Sequence, residues 1–208
     1  MKNLPSDIVF RHLRFDPEYL EGWEALLSRY EAERAHEFTG KKRRREFILG
    51  RAAARLLLSD ELAVEPQAVP LSVAESGAID VVGADLHVSI AHSGDHAVAA
   101  ASSRMVGVDI ESIVPRNTEL RRFLVHPDEQ ELLESIPLDP NRSQILWWTL
   151  KEATLKAMRT GLRFPPRKIR LDVDLGEERA RAYVEEGRDW DLFFEEWDGY
   201  YVAVAAEP

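Results

Sequence analysis

Gly107-Val108-Asp109-Ile110-Glu111 sets two carboxylates two residues apart in an alternating apolar run, and Glu152 and Lys156 lie four apart in the run Trp148 to Lys156. In a strand, residues i and i+2 share a face, so Gly107, Asp109 and Glu111 point one way and Val106, Val108 and Ile110 the other. The apolar face is expected to pack into the core, leaving the carboxylates on the opposite face with room at Gly107 for a ligand to approach. On a helix, positions four apart are neighbours. Three carboxylates and one ammonium brought to a point suit a divalent ion holding a phosphorylated substrate, because magnesium takes one or two carboxylates and completes its shell with water and phosphate. An enzyme of phosphate chemistry is therefore the leading expectation. Simpler readings stand beside it: a solvated strand face for the D-x-E, and an exposed salt bridge worth roughly 0.3–0.5 kcal/mol for Glu152 and Lys156. Trp147-Trp148, one turn before Glu152, should bury this helix and place the carboxylate beside an aromatic.

Two further groups carry charge. His92 follows the alternating run Leu86 to Ala91 and precedes Ser93-Gly94-Asp95, where a structural and a phosphate-binding role are both open. Lys41-Lys42-Arg43-Arg44-Arg45 is a dense basic run with Arg34 upstream and Arg51 and Arg55 downstream. It is either a solvated helix face or a clamp for phosphates or an acidic partner.

The elements that must position these residues follow from periodicity. Residues 8–15 read as a strand, Glu18 to Phe38 as one helix, and Lys41 to Leu62 as another, with Gly40 between them. Residues 67–83 are loop and short strand. Leu86 to Ala91, Ala97 to Ala101 and Met105 to Ile110 read as strands, with a turn over His92 to Asp95. Helices are expected over Leu120 to Leu124, Asp128 to Ile136 and Ser143 to Met158, separated by Pro127, Pro137 and Pro140. Strands follow at 168–174, 179–184, 190–197 and 200–206. The alternation predicts an α+β protein with two similarly built lobes, residues 1–103 and 104–208.

Composition limits the alternatives. The chain has 208 residues, 45% of them hydrophobic, and a formal net charge of −10. It is long enough for a real core, and its charge argues against a nucleic-acid binder. The absence of cysteine excludes disulfides, thiolate metal sites and cysteine nucleophiles. No apolar run is long enough to span a bilayer and no signal sequence is evident, so no membrane association and a cytoplasmic location are expected.

Taken together, these segments resemble the Sfp-type 4′-phosphopantetheinyl transferases. The family pattern G-[V/I]-D-[I/V]-E followed by W-[S/T]-x-K-E-[A/S]-x-x-K is complete here. Arg122-Phe123 and Glu129 resemble its R-F…E helix, Val88 to Gly94 its histidine segment, and Glu33-Arg34, Arg45-Glu46-Phe47, Gly50-Arg51 and Arg55 its N-terminal helices. Gly161-Leu162 and Phe164-Pro165 match the loop after the catalytic helix. The resemblance implies a fold of two similar lobes related by a pseudo-twofold axis, with the active site between them, and a monomer. It implies transfer of 4′-phosphopantetheine from coenzyme A to a serine of an apo acyl or peptidyl carrier protein, releasing adenosine 3′,5′-bisphosphate. By motif, Asp109, Glu111 and Glu152 would hold Mg²⁺, Lys156 would stabilise phosphate charge, and Glu152 would help deprotonate the serine. His92, with Arg34, Arg45 and Arg51, would contact coenzyme A. Ala78 and Ala91 stand where many members carry lysine and serine, which leaves a catalytically weak or idle carrier- or coenzyme-A-binding relative as the alternative.

Overall fold

A Ser28-x-x-Glu31 capping box decides how the first helical stretch folds. In the computed structural model, which describes residues 1–74, 77–117 and 119–208, the Ser28 hydroxyl accepts from the Glu31 N–H at 3.3 Å and the Glu31 carboxylate accepts from the Ser28 N–H at 3.1 Å. This reciprocal cap starts a new helix. The single helix expected over Glu18 to Phe38 is therefore split into α1 (Leu20–Glu24) and α2 (Arg29–Glu37). The long α3 (Lys41–Leu62) follows Gly40 as expected, and ends where Ala63 turns left-handed at φ 53°.

The chain divides into two compact units, one of Pro5–Ser103 and one of Arg104–Pro208 with Met1–Leu4. In the first, α1 to α3 lie between β1 (Val9–Arg14) and the strands β2 (Leu71–Val73), β3 (Ile79–Val81), β4 (His87–Ser93) and β5 (His96–Ser102). These make one antiparallel sheet in the order β1-β5-β4-β3-β2. Ala53, Ala54, Leu57 and Leu58 of α3 pack on Val88, Ala99 and Ala101 to form its core. The turn expected over His92 to Asp95 is shorter: β4 runs on through Ser93, which pairs with His96, and only Gly94 (φ 59°) and Asp95 make the bend.

The second unit repeats the plan. Its strands are β6 (Val106–Ser112), β7 (Ile169–Asp174), β8 (Arg179–Val184), β9 (Trp190–Trp197) and β10 (Tyr200–Ala206). They pair antiparallel in the order β6-β10-β9-β8-β7, the same topology as the first sheet. Between β6 and β7 lie α4 (Glu119–Leu124), α5 (Gln130–Ser135) and α6 (Pro140–Ala157). Pro140, expected to separate helices, instead opens α6: the Asp139 carboxylate accepts from the N–H groups of Asn141 and Arg142 at 3.0 and 3.1 Å, and a proline is tolerated in the first turn. Ile145, Leu146, Trp147, Leu150, Ala153 and Ala157 build the core with Leu171, Leu192, Phe194, Tyr201, Ala203 and Ala205. Among the described residues, no helix is long and apolar enough to cross a membrane.

Candidate active site

Gly107 is the point on which the site is assembled. A Cβ placed there would lie 2.1 Å from the Ala153 carbonyl oxygen and 2.3 Å from the Ala157 nitrogen. The space expected to admit a ligand is therefore filled by the backbone of α6. The carboxylate face of β6 is also the face that α6 covers, because Asp109 pairs with Ala203 and Gly107 with Ala205, both members of the core around α6. Asp109 is consequently 5% exposed rather than solvated. Ala153 and Ala157 meet Gly107 while Trp148 reaches Glu111, so the helix runs opposite to the strand.

This close approach gathers Asp109, Glu111, Glu152 and Lys156 within one unit. Lys156 Nζ donates to Asp109 Oδ1 at 2.7 Å, across to the strand rather than along the helix to Glu152. The Trp148 indole N–H donates to Glu111 Oε1 at 3.0 Å. Of the two tryptophans Trp147 is the fully buried one, and Trp148 is half-buried. Arg116, which no sequence pattern singled out, donates to Glu111 Oε2 at 2.7 Å. It lies five residues past Glu111, beyond Pro115, where neither strand nor helix period applies.

Burial dominates the electrostatics. Loss of water pushes the Asp109 carboxyl up to about 7, against the pull of Lys156 and with help from Glu111 and Glu152. Burial likewise raises Glu152, opposed by Lys156 and reinforced by Glu111. Asp109 Oδ2 is buried without a hydrogen-bond partner. Among the described residues no three side chains are already closed around a metal position. The donor set nonetheless fits a hard divalent cation: three coupled carboxylates, one of them ending in an orphaned oxygen, are the chemistry magnesium takes.

A buried ion pair supports α6 from behind. Lys151, fully buried beside Glu152, donates to Glu129 Oε2 at 2.6 Å and to the Leu124 carbonyl at 2.8 Å. Glu129 also accepts from the N–H groups of His126 and Leu171, each at 2.6 Å. The helix is thereby tied to the end of α4 and to β7. Lys151 sits four residues after Trp147, so the shared buried face was available as a signal for it.

The remaining expected residues lie in Pro5–Ser103. His92, exposed at the end of β4, stands 4.0 Å from the Glu46 carboxylate. It shares a cavity of about 280 Å³ with Phe38, Arg43, Glu46, Gly50 and Arg51. Arg51 stands 3.6 Å from Glu31, and burial pulls the pKa of its guanidinium down against the opposing effect of that carboxylate. Arg34 pairs with Glu37, lies over the Phe38 ring, and meets Arg51 in a second cavity of about 600 Å³ with Tyr30 and Phe47. Arg45 is held by Asp95 at 2.9 Å and lies over Phe15. The basic run is thus divided: Lys41, Lys42 and Arg43 are exposed, whereas Arg44 and Arg45 are half-buried and paired with Glu24 and Asp95.

Residues 105–205 match the profile of the 4′-phosphopantetheinyl transferase superfamily, and residues 31–102 that of the 4′-phosphopantetheinyl transferase N-terminal domain. The 4′-phosphopantetheinyl transferase HetI of a Nostoc species is 34% identical over 69% of this chain and 64% of its own. The Bacillus subtilis transferase Sfp is 24% identical over 89% of this chain and 84% of its own. Among solved structures, holo-[acyl-carrier-protein] synthase of Helicobacter pylori in complex with coenzyme A is similar at 20% identity and a TM-score of 0.41, covering 49% of this chain and 98% of that one. With two adjoining profiles of one superfamily matched in order along an α+β chain that carries both motifs whole, this protein belongs to the 4′-phosphopantetheinyl transferase superfamily.

Proposed function

We propose that the protein transfers 4′-phosphopantetheine from coenzyme A to a serine hydroxyl of an apo acyl or peptidyl carrier protein. The serine oxygen forms the new bond to phosphorus as the bond to the leaving adenosine 3′,5′-bisphosphate breaks. The observation that carries this reading is the cluster on β6 and α6, where three carboxylates and one ammonium meet around an orphaned Asp109 oxygen. Asp109, Glu111 and Glu152 would hold a magnesium ion. When bound, it supplies neutralisation of diphosphate charge, the main demand of this class of chemistry.

The chain's own groups supply the rest. Lys156 offers an ammonium to the transferring phosphate once its bond to Asp109 is shared. Glu152, whose carboxyl is raised by burial, accepts the serine proton. Trp148 orients Glu111 through its indole N–H. Arg34, Arg45, Arg51 and His92 are the residues of the first unit proposed to contact coenzyme A, and exposed Lys41, Lys42 and Arg43 are proposed to attract an acidic carrier.

The test is incubation with coenzyme A, magnesium and a panel of apo carriers, followed by intact-mass measurement. The expected result is a gain of one phosphopantetheine group on at least one carrier, lost in Asp109→Ala and Glu152→Ala variants that still fold. Modification persisting in both variants refutes the site. Failure to modify any carrier while coenzyme A still binds favours the idle-relative reading, which Ala78 and Ala91 suggest.

A further inference from the structure

Glu111 is held from both sides. Its Oε1 takes the Trp148 indole N–H at 3.0 Å and its Oε2 takes the Arg116 guanidinium at 2.7 Å. The indole is part of the packed helix α6, so Oε2 is the oxygen a ligand could reach, and that is the one Arg116 covers. Asp109 differs: Lys156 holds Oδ1, and Oδ2 is left unpartnered. Arg116 is itself anchored near the start of the same helix, its backbone N–H donating to Asn141 Oδ1 at 3.3 Å. Its side chain is 38% exposed and that of Glu111 20%, so the pair can open towards solvent without breaking the core.

We propose that Arg116 is a built-in counter-ion of the carboxylate cluster, which a divalent cation must displace from Glu111 to complete its ligand set. The inference rests on the metal reading above. Three carboxylates crowded beside one ammonium would repel one another without a second positive charge, and Arg116 provides it while the cation is away. A dication brings that charge itself. At buried Asp109 Oδ2 a cation has no hydrogen bond to displace, whereas it gains Glu111 Oε2 only by releasing the guanidinium. Arg116 thus lowers the affinity for the cation and stabilises the cation-free protein.

The test is titration of Mn²⁺, by calorimetry and by electron paramagnetic resonance, into the wild type, Arg116→Gln and Arg116→Lys, with thermal melts to check folding. Neutral Arg116→Gln should bind Mn²⁺ about threefold to fivefold tighter, the range a part-exposed ion pair can contribute. Arg116→Lys keeps the competing charge and should stay close to wild type. Without divalent cation, Arg116→Gln should melt lower than wild type. Equal or weaker Mn²⁺ binding by Arg116→Gln, with wild type binding normally, overturns the counter-ion role and leaves the metal reading standing. If neither wild type nor Arg116→Gln binds Mn²⁺, both readings fall.

Discussion

Replacing Gly107 by alanine tests whether the strand and the helix must touch for the site to exist. The new Cβ would sit 2.1 Å from the Ala153 oxygen, 2.3 Å from the Ala157 nitrogen and 3.0 Å from the Ala157 Cα. Comfortable contacts lie near 3.5–4 Å, so α6 must retreat from β6 by about 1 Å or more. Overpacking usually costs about 1–3 kcal/mol. Both obstacles here are backbone that no rotamer change can move, which places Gly107→Ala at about 3 kcal/mol or above. At about 2–4 °C per kcal/mol for a chain of this size, Tm should fall by about 6–12 °C. The displacement also lengthens the 2.7 Å contact between Lys156 and Asp109, so transfer activity should drop at temperatures where the variant is still folded. Gly22→Ala is the matched control, because a Cβ there meets nothing within 4 Å. Urea and thermal denaturation of the two variants decide the matter. If Gly107→Ala melts within about 1 °C of wild type, the close approach is not what builds the site.

Other substitutions probe the charges. A carboxyl raised from 3.8 to about 7 binds its proton more tightly when folded, so ionisation of Asp109 works against folding and stability falls as pH rises through that window. Asp109→Asn should therefore raise the unfolding free energy at pH 8 in EDTA, by an upper bound of roughly 4 kcal/mol, with the gain vanishing at low pH; an equal gain at all pH values in denaturant melts contradicts this. Lys151→Met leaves the buried Glu129 carboxyl without its cation, and should cost about 3–5 kcal/mol in denaturant unfolding. The double variant Lys151→Met/Glu129→Leu should recover much of that loss, and a double variant as unstable as the single one argues against the pair. Reversing Lys41, Lys42 and Arg43 to glutamate should raise KM for an acidic carrier, most at low salt. An unchanged KM places carrier docking elsewhere.

The sequence carried those features that obey a local period. Helix α3 and the strands of both units follow apolar spacing, and Asp109, Glu111, Glu152 and Lys156 were legible because strand and helix periods fix which way each side chain points. What could not be read was how one element lies against another. Gly107 looked like an opening because a missing Cβ does not say what fills the gap, which here is a helix 46 residues further on. Arg116 escaped notice because its partnership with Glu111 is made by a loop. The break at Ser28 was present as a capping box, but the helical spacing of Leu20, Trp23, Leu27 and Tyr30 hid it. That Lys151 is buried follows from helical spacing with Trp147, but its charge partner Glu129 comes from a separate segment 22 residues earlier.

The strand order in the second unit has a consequence for the timing of synthesis. β10 is the last strand of its sheet in sequence but the second in space, bonded on one side to β6 and on the other to β9. Until residues 200–206 have left the ribosome, β6 has no neighbour in its sheet, and α6 has no floor of Tyr201, Ala203 and Ala205 to settle on. Asp109 and Lys156 are translated long before that point, yet they cannot meet until the nascent chain has extended about fifty residues beyond the lysine. A ribosome that stalls within that interval holds every proposed catalytic side chain and no catalytic site, with the apolar face of α6 open to chaperones and proteases.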